Sequence, residues 1–538
     1  MVGILSLTLL AAAAATPCES LQSLSTPQAT ITAAVAPAGV FTPPRGGGGG
    51  GRAGAGRDGA AGTRGDAPAG QPGAQAPGAQ GARGGRGRDG GQGGGRAAAP
   101  PMPIPEHCRV QLVLKPSSDS NINAELWLPT QNWNGKFLAV GNGGFGGAIQ
   151  GYGDMQIALR AGYATAGNDT GHSAADGPNG MFALGHPEKI VDFAYRAMHE
   201  MTATSKKVVD KYYGKAPQFS YYKGCSTGGR QAVMAAQRYP NDFDGIIGGA
   251  LANRHIQMHT SGVYRGIEVT RNPELALSQE KATLVNNLVM NTCDTLKEGF
   301  LNNPRACKVD FSKLACSGTT DEPTCLTKGQ LKSVETFYGG LKNGKGELIF
   351  SGQALGNPIN ARRPIAEGGM PGGGYDTVRI WGFQNENYDW KTFDLDRDMP
   401  IINKKVGFVD AVDPDLRKFK AHGGKLLLYA GWSDTTITPE NTVLYYESVL
   451  KEMGKDQGSW TRLFLVPGMA HCGGGPGINA IDTLGTLEQW REKGLAPNQI
   501  VGTSNSGMTR PVCPYPQYSA YKGSGDLKDA ANWSCKAP

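Results

Sequence analysis

The stretch YYKGCSTGGRQAVMAAQRYP, residues 221–240, decides the fold. At its centre, Gly224-Cys225-Ser226-Thr227-Gly228 fits G-x-S-x-G, in which a serine sits on a sharp strand-to-helix turn and small neighbours let the backbone fold back on itself. FSYYKG (219–224) predicts a short strand entering that turn, and GGRQAVMAAQRYP (228–240) predicts the helix leaving it. Upstream, PEKIVDFAYRAMHEMTATSKKVVDKYYG (187–214) places apolar residues three and four apart and predicts one long helix. KFLAVGNGGFGG (136–147) predicts a buried strand running into a glycine-rich turn, and the alternating HCRVQLVLKPSSDSNINAELWLPT (107–130) predicts further strands. This alternation of strand and helix is that of an α/β fold with a parallel sheet.

Downstream, GGKLLLYAGWSD (423–434) and TRLFLVPGMAHC (461–472) repeat one pattern: an apolar strand, a turn, then a polar residue. Functional groups collect at the carboxyl ends of strands in such sheets. Ser226, Asp434 and His471 each follow an apolar strand, and their order Ser, Asp, His is the chain order of α/β-hydrolases. A serine hydroxyl is a weak nucleophile until a histidine takes its proton, and that histidine needs a carboxylate to fix its tautomer. A tetrahedral intermediate also needs backbone N–H donors. Thr227, next to the serine, is expected to supply one, and the turn GNGGFGG (141–147) the other, through Gly144 or its neighbour Gly143. Each residue taken singly has an ordinary structural explanation; all three arising incidentally at matching strand ends is far less expected.

The ten cysteines form an even set without C-x-x-C spacing, which favours disulfides over a zinc cluster. Proximity in sequence suggests Cys293 with Cys307, Cys316 with Cys325 and Cys513 with Cys535, although sequence alone leaves the connectivity open. Cys225 precedes the serine and Cys472 follows the histidine, so a nucleophile and base within reach of each other would also bring these two cysteines within disulfide distance.

MVGILSLTLLAAAAATP opens the chain with an apolar run ending in small residues, expected to be a signal peptide over residues 1–15. No later run of about 18 apolar residues predicts a membrane span. A secreted or periplasmic protein is therefore expected. Residues 45–100 are rich in Gly and Arg and nearly free of large apolar side chains, and are expected to be a disordered insertion. Eight Arg and three Asp between Arg45 and Arg96 carry five of the seven net positive charges, so the rest of the chain is near neutral and calls for no nucleic-acid partner.

The blocks CRVQLVLKPSSDSNINAELWLPTQNWNGKFLAVGNGGFGG (108–147), AGNDTGHS (166–173), YYKGCSTGGRQAVMAAQRYPNDFDGIIGGA (221–250), KLLLYAGWSDTTITPENTVLYYESV (425–449) and RLFLVPGMAHCGGGPG (462–477) resemble the tannase and feruloyl esterase family, which is also similar to hydrolases of mono(2-hydroxyethyl) terephthalate. The resemblance implies an α/β-hydrolase core in two parts, 101–252 and 406–538, with residues 16–44 contributing at its N-terminal side and a lid domain inserted over residues 253–405. It implies five disulfides, adding Cys18 with Cys108. It implies a serine esterase acting on a small aromatic ester, with no cofactor required. It also implies a calcium loop in the lid, but CDTLKEGFLNNPRAC (293–307) keeps Asp294 and replaces later acidic positions, so firm binding of a six-to-eight-oxygen ion is not expected. In the lid segment GGGYDTVRIWGFQNENYDW (372–390), Arg379 and Trp381 are expected to face substrate. The alternative from another class is a non-catalytic binding or matrix-associated protein that works through the Gly/Arg-rich tract.

Overall fold

The computed structural model describes residues 16–44, 102–318, 320–372 and 374–538. The expected signal peptide 1–15 and the Gly/Arg-rich stretch 45–100 lie outside the described residues.

Nine strands form one sheet among the described residues: β1 (Ala29–Ala36), β2 (His107–Leu114), β3 (Ile122–Pro129), β4 (Lys136–Val140), β5 (Ala164–Asn168), β6 (Phe219–Cys225), β7 (Gly245–Gly249), β8 (Lys425–Gly431) and β9 (Thr461–Val466). Their spatial order is β1-β2-β3-β5-β4-β6-β7-β8-β9. From β5 to β9 every pairing is parallel, as the strand and helix alternation requires. The sheet is mixed rather than wholly parallel, because β1, β2, β3 and β5 pair antiparallel at the N-terminal side. A short β2–β3 connection permits only antiparallel neighbours, since a parallel crossover needs a dozen residues or more.

Central strands bear the near-continuous apolar runs of a sheet covered on both faces: LLLYAG of β8 is buried throughout. The covering helices include α1 (Tyr152–Arg160), α2 (Ala197–Tyr213), α3 (Thr227–Arg238), α4 (His255–Arg271), α5 (Pro439–Met453) and α6 (Thr483–Lys493). The long helix expected over 187–214 contains a π turn at Asp192–Arg196. There the buried Asp192 accepts from Arg196 Nε at 2.5 Å and from Ser120 Oγ at 3.1 Å.

Between β7 and β8 the chain adds α4, further helices at Gln279–Cys293, Lys328–Gly339 and Leu395–Val406, and a two-stranded ribbon pairing Leu341–Lys342 with Leu348–Phe350. None of these strands joins the main sheet. The sheet therefore stays continuous from β7 to β8 while the 175 residues between Gly249 and Lys425 pass outside it.

All ten cysteines are paired: Cys18–Cys108, Cys225–Cys472, Cys293–Cys307, Cys316–Cys325 and Cys513–Cys535.

Candidate active site

Strand β6 ends at Cys225 and α3 begins at Thr227, which leaves Ser226 alone to make the turn. It does so at φ 66°, ψ −121°, a left-handed conformation costing a non-glycine residue about 1–3 kcal/mol. The surroundings hold it there. Ser226 N–H donates to the Gly249 carbonyl at 3.0 Å, and the Ser226 carbonyl accepts from Arg230 N at 3.1 Å and Ala252 N at 3.2 Å. Glycines are required by contact as well as by turn geometry. A Cβ on Gly224 would lie 2.6 Å from the Gly228 carbonyl oxygen, and one on Gly229 would lie 2.2 Å from that of Gly249.

The glycine-rich turn after β4 is locked to this elbow. Asn142 N–H donates to Gln231 Oε1 and Gln231 Nε2 donates to Asn142 Oδ1, both at 3.1 Å, while Gly228 N–H donates to the Asn142 carbonyl at 2.7 Å. Thr227 Oγ1 donates to the Gly144 carbonyl at 2.5 Å. The turn's N–H groups are thereby distinguished. Gly143 N–H is taken by Gln150 Oε1 at 2.5 Å. Among the described residues Gly144 N–H has no acceptor, and Thr227, first in its helix, has no carbonyl four residues earlier to meet its own.

Asp434 follows β8 and is fully buried. Its Oδ1 accepts the backbone N–H groups of Thr436 at 2.8 Å and Ile437 at 2.9 Å, and its Oδ2 lies 2.8 Å from His471 Nδ1. Asp434 is the one side chain hydrogen-bonded to His471 among the described residues, so the other ring nitrogen is left for a second partner. Ser226 Oγ makes no hydrogen bond to that nitrogen here. Such contacts often tighten only when substrate is bound. The Cys225–Cys472 disulfide, with Cα atoms 5.9 Å apart, joins the residue before the serine to the residue after the histidine. Replacing both cysteines by alanine is expected to lower stability by about 2–4 kcal/mol. Freeing the histidine loop is also expected to cut kcat about 10²-fold, since misplacement by about 1 Å has that effect. Melting temperature and steady-state rates check this, and unchanged values in both would refute the positioning role of the disulfide.

A cavity of about 680 Å³ opens beside the serine, within the usual range for small-molecule sites. Gly144, Ser226, Thr227 and the Thr435–Thr438 turn line one part, and one face of α4 (His255, His259, Gly262, Val263, Gly266, Val269) runs along another. Asp434 and His471 are not among the lining residues. Burial pushes the His255 and His259 pKa values down, His259 to about 4, so neither carries charge near neutral pH.

The structure does not bring Arg379 or Trp381 to this cavity. Trp381 is 1% exposed, donates through Nε1 to the Gly180 carbonyl at 2.9 Å, and packs against Phe145, Phe182, Phe193 and His255. Arg379 is neutralised within its own turn. Its Nε donates to Asp376 Oδ1 at 2.8 Å and its Nη1 to the Glu386 carbonyl at 2.8 Å. Sequence reasoning missed the α4 face, although its lining residues from His255 to Val269 recur at helical spacing.

The residues at the implied calcium loop do not fit the ion. Both Asp294 oxygens accept backbone N–H groups, from Glu298 at 3.0 Å and Gly299 at 2.8 Å. Glu298 is held by the buried Arg510 guanidinium at 2.7 Å, which also donates to Asn302 Oδ1 at 2.7 Å. Oxygens that calcium would need are engaged by N–H groups and a fixed positive charge.

A largely parallel sheet, a serine on the elbow after a central strand, and an aspartate–histidine pair at later strand ends define an α/β-hydrolase. The sequence model for tannase and feruloyl esterase matches residues 108–536, and the chain belongs to that family. It is 34% identical over 490 residues to an uncharacterised esterase of Xanthomonas campestris pv. campestris, covering 80% of this chain and 84% of that protein. It is 32% identical over 457 residues to a probable feruloyl esterase B-2 of Aspergillus terreus, covering 80% of this chain and 86% of the relative. The crystal structure of feruloyl esterase B from Aspergillus oryzae superposes with a TM-score of 0.76 at 28% identity, covering 96% of this chain and 99% of that one. The protein is a carboxylic ester hydrolase of the feruloyl esterase and tannase type.

Proposed function

We propose that the protein is a secreted serine esterase that cleaves esters of aromatic carboxylic acids through an acyl-enzyme. Ser226 attacks the carbonyl carbon, and its proton passes to His471 Nε2. Asp434 holds the Nδ1 proton and stabilises the imidazolium that forms. The free N–H groups of Thr227 and Gly144 receive the oxyanion. The imidazolium protonates the departing alcohol. Water, deprotonated by the same histidine, then attacks the acyl carbon, and the acid leaves as Ser226 recovers its proton. The observation that carries this reading is the 2.8 Å Asp434–His471 pair, tied by Cys225–Cys472 to the strained Ser226 elbow.

Export accords with five disulfides, which persist in oxidising compartments, and among the described residues no helix is long and apolar enough to cross a membrane. Residues 253–405 act as the lid, since they supply the α4 wall over the serine. The alternative of a non-catalytic protein working through its Gly/Arg-rich tract is not favoured, because the chain belongs to an esterase family.

The test is rapid-mixing kinetics on methyl ferulate, methyl gallate and mono(2-hydroxyethyl) terephthalate beside a simple acetate ester. The expected result is higher kcat/KM on at least one aromatic ester than on the acetate, with a burst of alcohol approaching one per enzyme where deacylation is slow. Preference for the acetate over all three would refute the aromatic specificity. Inertness of the folded enzyme on all four would refute the esterase mechanism.

A further inference from the structure

The turn that carries Gly144 N–H has little to hold it from within. Gly144, Gly146 and Gly147 stand at φ 55°, 74° and 82°, and glycine has more conformational freedom to lose than any other residue. Among the described residues the turn closes one backbone hydrogen bond on itself, from Gly146 N–H to the Gly143 carbonyl at 3.0 Å. What fixes it comes from two glutamine side chains that do not line the cavity.

Gln231 stands five residues after Ser226 in α3 and is 3% exposed. Its Oε1 accepts the Asn142 N–H, which fixes the orientation of the amide, since a backbone N–H can only donate. Its Nε2 therefore meets Asn142 Oδ1, and Asn142 Nδ2 passes the relay on to the Asn168 carbonyl at the end of β5, 2.7 Å away. The Tyr222 hydroxyl of β6 lies 3.1 Å from the same Gln231 oxygen. One side chain thus ties the turn to the strand and helix that hold the nucleophile. Gln150 acts across the turn itself. Its Oε1 accepts Gly143 N–H at 2.5 Å and its Nε2 donates to the Gly146 carbonyl at 3.3 Å. The consequence is a choice between neighbouring donors. Gly143 N–H is consumed, whereas Gly144 lines the cavity with nothing within 4 Å of where a Cβ would stand.

We infer that Gln231 and Gln150 are positioning residues for the oxyanion, which together hold the turn in the register that presents Gly144 N–H to it. This rests on the serine esterase reading above and names what aligns its second oxyanion donor. A donor about 2.7–3.1 Å from a developing oxyanion is worth about 10²–10³-fold in rate, and that worth depends on placement to within about 1 Å. The ground-state carbonyl gains little from it, so loss of the clamp should appear in kcat and leave KM nearly unchanged.

The experiment uses Gln231→Met and Gln150→Met, which keep the side-chain length and remove both hydrogen bonds of each amide, on an activated aryl ester. Each is expected to lower kcat about 10- to 100-fold with KM within about threefold of the wild type's. A second readout compares inhibition by an arylboronic acid, whose tetrahedral adduct on Ser226 puts an oxygen at the oxyanion position, with inhibition by the corresponding aryl carboxylic acid. The boronate should weaken in step with kcat/KM and the carboxylic acid should not, a split that a merely structural role would not produce. Wild-type kcat in either variant, a loss confined to KM, or equal weakening of the two inhibitors overturns the inference. If the buried Gln231→Met does not fold, the partly buried Gln150→Met decides alone. Turnover of the ester by the wild type keeps the esterase reading whatever the variants do, and a folded wild type inert on it overturns both.

Discussion

Ser226→Ala is expected to lose at least about a thousandfold in kcat, and up to about 10⁶-fold if the three residues act as one unit. The fold should remain. Ser226 is held through its backbone, by Gly249, Arg230 and Ala252, and alanine keeps all three hydrogen bonds. Alanine also keeps the Cβ, so it bears the same strain at φ 66° as the serine does. Ser226→Gly removes that strain, since glycine takes positive φ freely, and should be as inactive as the alanine variant but more stable by about 1–3 kcal/mol. The two variants thus separate the chemistry of the hydroxyl from the energy stored in the elbow. Adding His471→Ala to Ser226→Ala should cost little more, because a base without its nucleophile does nothing. Residual rate is expected from the Thr227 and Gly144 donors. Initial rates on the best ester, with melting curves for each variant, make the measurement. Retention of more than a tenth of the wild-type rate by Ser226→Ala would mean that the nucleophile lies elsewhere.

How the elbow came to be legible in sequence follows from locality. A strand, one serine and a helix are fixed by residues 219–238, and the glycines that the turn needs stand beside the serine. Asp434 and His471 are distant in sequence, but each ends a run of apolar residues, and Cys225 and Cys472 mark the two loops that must meet. What sequence did not reveal depends on contacts between distant segments. The antiparallel edge rests on the pairing of β3 with β5, residues 124–127 with 165–168, which no local pattern encodes. At the π turn Asp192–Arg196, the Asp192 carboxylate accepts from Ser120, 72 residues away in sequence. The substrate wall is the clearest instance. Arg379 and Arg265 are alike as letters, and the lid resemblance drew attention to the first. Only the folded chain shows that Asp376 and the Glu386 carbonyl occupy Arg379, while Arg265 lines the cavity. Which arginine meets the cavity is decided by what packs against each.

Asp434→Asn is expected to lower kcat about 10⁴-fold with little change in stability, and the geometry explains the combination. The carboxylate has two distinct sides. Oδ1 accepts two backbone N–H groups, from Thr436 at the cavity edge and from the buried Ile437, and the carboxylate itself is fully buried. An asparagine side chain must therefore present its carbonyl oxygen to those donors, since an NH₂ facing them would set donor against donor and leave the buried Ile437 N–H without an acceptor. That orientation places the NH₂ where Oδ2 stood, 2.8 Å from His471 Nδ1. The imidazole then accepts at Nδ1 and carries its proton on Nε2, so it cannot take the proton of Ser226. The variant is isosteric and satisfied, yet holds the wrong tautomer. Asp434→Ala is expected to behave differently. It frees the histidine tautomer but removes the acceptor of the Thr436 and Ile437 N–H groups, at about 1–3 kcal/mol for the buried Ile437 donor left unmet. Stability should therefore fall for alanine and hold for asparagine, while activity falls for both. Melting curves and steady-state rates on one chromogenic ester distinguish the pair. An Asp434→Asn enzyme retaining more than a tenth of its activity would show that Asp434 does not fix the histidine tautomer.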